Sequence, residues 1–265
     1  MHRPVDLPRL TDHQHEEHPL KADPSAQLRL LDLQALDSQA DQLRHQRATL
    51  PELAEIAALT TTRAEHDDRR RDAQVVVDDL KVEQVKLDAD VEQVKARRTR
   101  DQQRMDQGLI TNPKDLERMQ GELQSLQRRI TSLEDDELEV MARLEDAEKD
   151  LASHAEQVAA ADERLAELTA SRDERTAALD RELERVAGER APLAAELPAD
   201  LLALYERLRE QKGVGAAELR ARQCGGCRLT LDNAELQVIR SSPEDTVVRC
   251  EECQRILVRT AESGL

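Results

Sequence analysis

Cysteine occurs in this chain only as CGGC at 224–227 and CEEC at 250–253. The spacing C-x2-C-x22-C-x2-C suits a tetrahedral thiolate site. Two intervening residues let a tight knuckle aim both sulfurs at one ion, and a second knuckle closes the coordination sphere. Cys224, Cys227, Cys250 and Cys253 are therefore the candidate metal ligands, and four thiolates select zinc over harder cations. No histidine follows His154, so the module offers no mixed Cys/His set. Four sulfurs leave no open position for a reacting water, so the expectation is one structural Zn2+ and no catalytic residue. Two metal-free readings use the same cysteines. A redox CxxC sits singly at a helix start in a strand-helix-strand unit, a setting neither pair has. Structural disulfides want an oxidising compartment.

The residues around the thiols read as the elements that aim them. AELRARQ leads into the first knuckle and RLTL leaves it; TVVR leads into the second and RILVR leaves it. Strand, knuckle, strand is expected twice, with DNAELQVI between them as a short helix capped by Asp232. A module over 213–265 has no Phe or Trp and too little apolar surface to fold unaided, so metal binding must supply the missing stability.

Upstream the chain is of a different kind. It is 36% charged with a net charge of -17, and contains no Phe, no Trp and one Tyr, which rules out an aromatic-anchored globular core. From Leu28 a helical pattern runs for most of the chain and breaks at QGLITNPKDL, 107–116. There Gly108 suits a left-handed helix stop, Asn112 an N-cap and Pro113 the first helical position. The fold class expected is mainly α: an antiparallel coiled-coil hairpin over 24–190, turning near 107–113, then a small C-terminal β-rich zinc ribbon. A linker with a short helix over 191–212 joins the two, its apolar side carried by Leu201, Leu202, Leu204, Tyr205 and Leu208.

In the second arm a heptad seam set at Leu116 carries Leu123, Ile130, Leu144, Leu151, Val158, Leu165, Leu179 and Val186 at a. Position d holds Met119, Leu126, Leu133, Val140, Ala147, Ala161 and Leu168; Glu137, His154, Arg172, Arg175 and Glu182 are the exceptions. The first arm offers Val77, Leu80, Leu87, Val91 and Val94, and a second run of Leu36, Leu43, Leu50 and Ala57. TLPE at 49–52 reads as a proline-bearing capping box where the helix restarts. The stretch 60–74 is nearly devoid of apolar residues: a wet face, or a hinge or partner notch. If the turn centres on Leu109, 60–74 lies opposite 144–158. Residues 1–23, with three prolines and His13, His15 and His18, read as a disordered tail whose histidines have no fold to hold a metal firmly.

Together these pieces resemble the bacterial C4-type zinc-ribbon family in which a long coiled-coil hairpin precedes the ribbon. The residues that carry the resemblance are NPKDLERMQGEL, SLEDDELEVM, LYERLR, CGGC and CEECQRILVR. It places the family's ligands on Cys224, Cys227, Cys250 and Cys253. It implies a non-enzymatic protein, often labelled nucleic-acid-binding, with some members viewed as adaptors for transcription, secretion or flagellar machinery. One departure is Gln254, where the family commonly has Gly, at a position that favours positive φ.

Partner chemistry divides two ways. The ribbon carries seven basic and eight acidic side chains and no aromatic face, which disfavours base stacking and a general polyanion grip. RNA or DNA contact would fall to arginines on a strand face, Arg220, Arg222 and Arg259, with Arg228, Arg249 and Arg255 shielding the sulfurs. The reading preferred is an adaptor presenting a zinc-held head to a protein partner of transcription, translation or secretion machinery; the alternative is a nucleic-acid-binding regulator. No apolar run is long enough to span a bilayer and the first thirty residues lack a signal-peptide core, so a cytoplasmic location without membrane partners is expected.

Overall fold

The structure, a computed structural model, describes residues 19–265; the cluster His13, His15 and His18 lies outside them. The chain divides into two compact units, Leu50–Glu174 and a second made of Met1–Thr49 with Arg175–Leu265.

Leu50–Glu174 is the hairpin. Helix α2 (Pro51–Asp106) and the first part of α3 (Pro113–Ala195) run antiparallel through the turn at 107–112. Gly108 takes φ +66°, a left-handed stop open to glycine without strain. Asn112 accepts the Lys114 N–H at 3.0 Å and so caps α3. The helix restart at 49–52 is real, but not as a capping box. Thr49 closes helix α1 (Pro24–Ala48), its hydroxyl donating to the His45 carbonyl. Glu52 instead accepts from the Ser171 hydroxyl at 3.1 Å, across the hairpin.

The seam follows the heptads. Val77, Leu80 and Val91 from α2 are buried with Leu123, Ile130, Leu133, Val140, Ala161 and Leu168 from α3. Cross-arm ion pairs join Lys95 to Glu134 (2.8 Å), Lys81 to Glu148 (3.0 Å) and Arg63 to Asp162 (2.8 Å). Each partner lies further along α3 than a mirror centred on Leu109 would place it. Side chains tilt toward the N-terminus of their own helix, away from the turn on α2 and toward it on α3, so a contact needs a later α3 residue. The polar stretch 60–74 continues as helix with no buried residue, and the His66 ring lies 5.9 Å from that of His154.

The second unit packs α1, the end of α3 and α4 (Ala199–Lys212) against a sheet. Strands β1 (Ala216–Arg220), β2 (Gln223–Cys224), β3 (Val248–Arg249) and β4 (Ile256–Arg259) lie in the order β2-β1-β4-β3, with β1 and β4 parallel. Helix α5 (Asn233–Ser241) is capped by Asp232, which accepts the Glu235 N–H at 2.8 Å. After the first knuckle RLTL forms only one bridge, Gln223 to Thr230, rather than a strand. Its backbone is bent there, with Arg228 at φ +63°.

Two sequence boundaries shift. Residues 20–22, assigned to the tail, pair with 245–247: the Val247 N–H donates to the Leu20 carbonyl and the Ala22 N–H to that of Asp245. Helix α3 passes through Pro192 and ends at Ala195, beyond the expected 190, because Ala194 and Leu197 anchor it in the core. The buried face of α1 is also not the Leu36 and Leu43 stripe. It is Ala26, Leu30, Leu33, Asp37 and Ala40, joined by Gln27 and Gln34.

That face is polar in its middle because the only tyrosine completes it. Tyr205 is fully buried, and its hydroxyl donates to Asp37 at 2.7 Å. Burial first, then Asp37, pushes the Tyr205 phenol up, so it remains the donor. Asp37 also receives Arg190 of α3 at 2.7 Å and lies 3.4 Å from Arg209 of α4. Gln34 accepts the Gly215 N–H at 2.7 Å, tying α1 to the strand that leads to the first knuckle. Gly215 fits closely against Tyr205: a Cβ there would lie 2.6 Å from the Tyr205 carbonyl oxygen.

Two predictions follow from this packing. Asp37→Ala removes the acceptor of the buried Tyr205 hydroxyl and one of the two carboxylates on Arg190, which keeps Glu206, and is expected to cost about 2–3 kcal/mol, while Tyr205→Phe costs about 1–2 kcal/mol, both read by urea denaturation. In the hairpin, Glu137 hydrogen-bonds Asp88, and that contact, followed by lost hydration and the Asp88 charge, raises its carboxyl above the ordinary range. A raised folded-state carboxyl stabilises below its unfolded pKa and loses that contribution as pH climbs through the folded value. Glu137→Gln is therefore expected to raise the melting temperature at neutral pH and to flatten its pH dependence on the acid side.

Candidate metal centre

The two knuckles are built alike. In each, the residue after the second cysteine donates its N–H to the carbonyl of the first: Arg228 to Cys224 (2.7 Å) and Gln254 to Cys250 (2.8 Å). The first cysteine of each donates in turn to the residue five places on, Cys224 to Leu229 (3.0 Å) and Cys250 to Arg255 (3.1 Å). Such closed loops require positive φ at the fifth residue, and Arg228 (+63°) and Gln254 (+64°) adopt it. The conformation inferred at Gln254 is thus present at both knuckles, in residues that carry a Cβ and bear the strain. The first knuckle needs its glycines for space: a Cβ on Gly226 would lie 2.7 Å from the Arg255 side chain. The second, facing outward, accommodates Glu251 and Glu252, both exposed.

This geometry brings the four sulfurs within 4.8 Å of one another. Cys224 Sγ lies 3.7 Å from Cys253 Sγ, and Cys227 Sγ 3.9 Å from Cys250 Sγ. A tetrahedron with Zn–S bonds of about 2.3 Å has sulfur-to-sulfur edges of about 3.8 Å. The donor set and its dimensions therefore fit a zinc ion. The nearest sulfurs stand at tetrahedral-edge distances, 3.7 and 3.9 Å, rather than at a disulfide length of about 2 Å, and neither pair begins a helix in a strand-helix-strand unit, so the geometry favours the metal over both metal-free readings.

The electrostatics point the same way. Burial is the main force raising the Cys224 thiol, and it lifts Cys250 to about 12 against the N–H groups of Cys253 and Glu252. At Cys253 burial is outweighed by the backbone N–H of Arg255, the neighbouring thiol of Cys250 and the Arg255 guanidinium, leaving it lowered to about 7. Backbone N–H groups aimed at sulfur stabilise thiolate, and a divalent cation supplies the remaining charge that deprotonates a buried set. One Zn2+ held by Cys224, Cys227, Cys250 and Cys253 closes the coordination sphere with sulfur.

The arginines predicted as contacts have other employment. Arg259 donates to the carbonyls of Ile239, Ser242 (3.0 Å), Pro243 (2.9 Å), Glu244 (2.8 Å) and Thr246 (2.9 Å). Through both of its terminal nitrogens it pins the loop after α5 to β4, a structural task beside the contact role expected of it. Arg222 occupies the positive-φ turn between β1 and β2, its guanidinium on Asn233 at 2.8 Å. Arg220 is exposed and ion-paired with Glu262 at 2.9 Å. Of the three residues expected to shield the sulfurs, Arg255 does so at Cys253 while also bonding the Val214 and Lys212 carbonyls. Arg249 donates to the Gln254 carbonyl within the second knuckle.

Sequence reasoning missed a cleft of about 570 Å³ on this unit, where Pro24, Leu28, Ile239 and Leu265 stand among polar side chains such as Gln27 and Glu244. Leu28, Val238 and Leu265 remain exposed on the same unit. Such side chains, scattered in sequence, give no periodic signal.

Comparison with known proteins agrees with the site. Residues 33–213 match the CT398-like coiled coil hairpin domain, and residues 223–257 the C4-type zinc ribbon domain. An uncharacterised Mycobacterium tuberculosis protein is 35% identical over 91% of this chain and 98% of its own. An uncharacterised Mycobacterium leprae protein is 27% identical over 82% of this chain and 93% of its own. A solved Mycobacterium smegmatis structure superposes with TM-score 0.80 at 32% identity, covering 91% of this chain and 100% of that one. The structure of CT398 from Chlamydia trachomatis shares the fold, with TM-score 0.67 at 18% identity over 89% of this chain and 98% of that one.

Metal removal is the direct check on the site. Structural zinc contributes about 10–16 kcal/mol to small modules of this kind, so chelation or Cys250→Ser is expected to abolish zinc retention. Hydrogen exchange should then accelerate across 216–259 while the helices of Leu50–Glu174 stay protected. Unchanged protection over 216–259 after complete zinc loss is the contrary result.

Proposed function

This chain belongs to the CT398-like coiled-coil hairpin family and carries a C4-type zinc ribbon, and on that premise we propose that it is a non-enzymatic adaptor whose zinc-held head engages a protein partner. The observation that carries this reading is the commitment of the head's arginines. Arg259, Arg255 and Arg249 are spent on backbone carbonyls, Arg220 on Glu262 and Arg222 on Asn233. Arg228 and Arg240 are left, too few to hold a phosphate backbone against an acidic chain. What the head offers instead is a cleft between the start of α1 and α5 that mixes Pro24, Leu28, Ile239 and Leu265 with polar side chains such as Gln27, Glu244 and Thr260, Leu28 and Leu265 being exposed in it. Exposed apolar side chains around a concave face are the usual mark of a protein contact. The partner belongs, on this reading, to transcription, translation or secretion machinery.

Two assays separate this from the nucleic-acid reading. At about 0.15 M salt the purified chain is expected not to retard RNA or duplex DNA. Crosslinking in cells followed by mass spectrometry should place the partner on residues flanking the cleft, and Leu28→Asp with Leu265→Asp should remove those crosslinks while zinc content stays unchanged. Retardation that falls steeply with salt, and survives loss of both cleft leucines, would support the nucleic-acid alternative.

A further inference from the structure

Charge is sharply segregated along the hairpin. The tip, residues 95–129, carries nine basic and five acidic side chains in a chain of net charge -17. The adjoining lengths of the two arms, 75–94 and 130–150, carry fifteen acidic and four basic ones. Internal pairing does not use up either side. Among the described residues, Arg100, Arg104, Lys114, Arg128 and Arg129 have no carboxylate within ion-pair distance, whereas Arg97 and Arg118 are paired with Glu122 and Asp115. Asp79, Asp90, Asp135, Asp136 and Glu139 likewise have no cation. Asp88 of one arm and Glu137 of the other are near enough across the seam for Asp88 to raise the Glu137 carboxyl above its ordinary range.

Both regions also expose apolar side chains. Leu109 stands at the turn with 65% of its surface open, and on the acidic lengths Val82 (71%), Val85 (68%) and Leu138 (64%) point away from the seam. Val75, Val82 and Val85 fall along the back of α2, opposite the buried Val77 and Leu80, as the helical period requires. Heptad-like apolar spacing on an outer face is suited to a second helix.

We propose that the occupant is a second copy of this chain, its hairpin laid antiparallel on the first so that each basic tip rests on the other's acidic length. A two-fold contact of this kind uses both complementary regions twice and closes on itself, limiting assembly to a dimer. The arginines supply charge-assisted bonds to carboxylates, and the exposed valines and leucines exclude water between them. A contact dominated by exposed charges weakens with salt.

The test is analytical ultracentrifugation of the full zinc-bound chain. At about 50 mM NaCl the wild type is expected to be a dimer whose Kd rises about tenfold or more by about 300 mM. Reversing the tip (Arg100→Glu, Arg104→Glu, Arg128→Glu, Arg129→Glu) should weaken the dimer at least about tenfold, as should reversing the acidic length (Asp79→Lys, Asp90→Lys, Asp135→Lys, Asp136→Lys). Both sets in one chain should restore association, with circular dichroism confirming that each variant keeps its helix. A wild type that stays monomeric at low salt and about 100 µM, or a double-reversed chain no better than the single ones, overturns the proposal. So does a monomeric wild type whose tip arginines instead retard duplex RNA.

Discussion

Four thiol groups held within 4.8 Å of one another cannot all ionise unless a cation sits among them. That constraint orders the ribbon. The knuckles are shaped so that backbone N–H groups face sulfur. Reaching that shape places Arg228 and Gln254 at positive φ, and it brings the chain so near the Arg255 side chain that Gly226 has no room for a Cβ. The strain and crowding are offset by metal binding, because the sheet behind the site is short and holds no aromatic residue. Zinc thus does for 213–265 what a larger apolar core does elsewhere.

A second polar node complements the metal. Tyr205, Asp37, Gln34 and Arg190 bring α1, α3 and α4 together, and the Gln34 bond to the Gly215 N–H extends that node to β1. Zinc defines the knuckles from within; the tyrosine node fixes the strand that feeds them. The single aromatic residue of the chain is spent where a rigid side chain with one hydroxyl can satisfy a buried carboxylate.

Much of this was legible from spacing. The CxxC pairs located the site because a metal imposes its own geometry on sequence, and the α3 heptads located the seam because burial there repeats with the helix. The turn at Gly108 to Pro113 could be read from backbone preference alone. The face of α1 could not: its buried residues include Asp37 and Gln34, whose partners lie more than 150 positions away, and a hydrophobic count selects Leu36 and Leu43 instead. The structural role of Arg259 was hidden for a related reason. Its sequence neighbours place it on a strand, but only the fold reveals five carbonyls converging on it. The pairing of 20–22 with 245–247 joins the two ends of the described chain, a distance over which local pattern carries no signal.

One zinc ion bonded to four sulfurs organises the head. X-ray absorption at the zinc edge, on protein purified under reducing conditions, tests it most directly. A single shell of four sulfurs at about 2.3 Å is predicted. A shell containing nitrogen or oxygen, or no stoichiometric zinc at all, would contradict it.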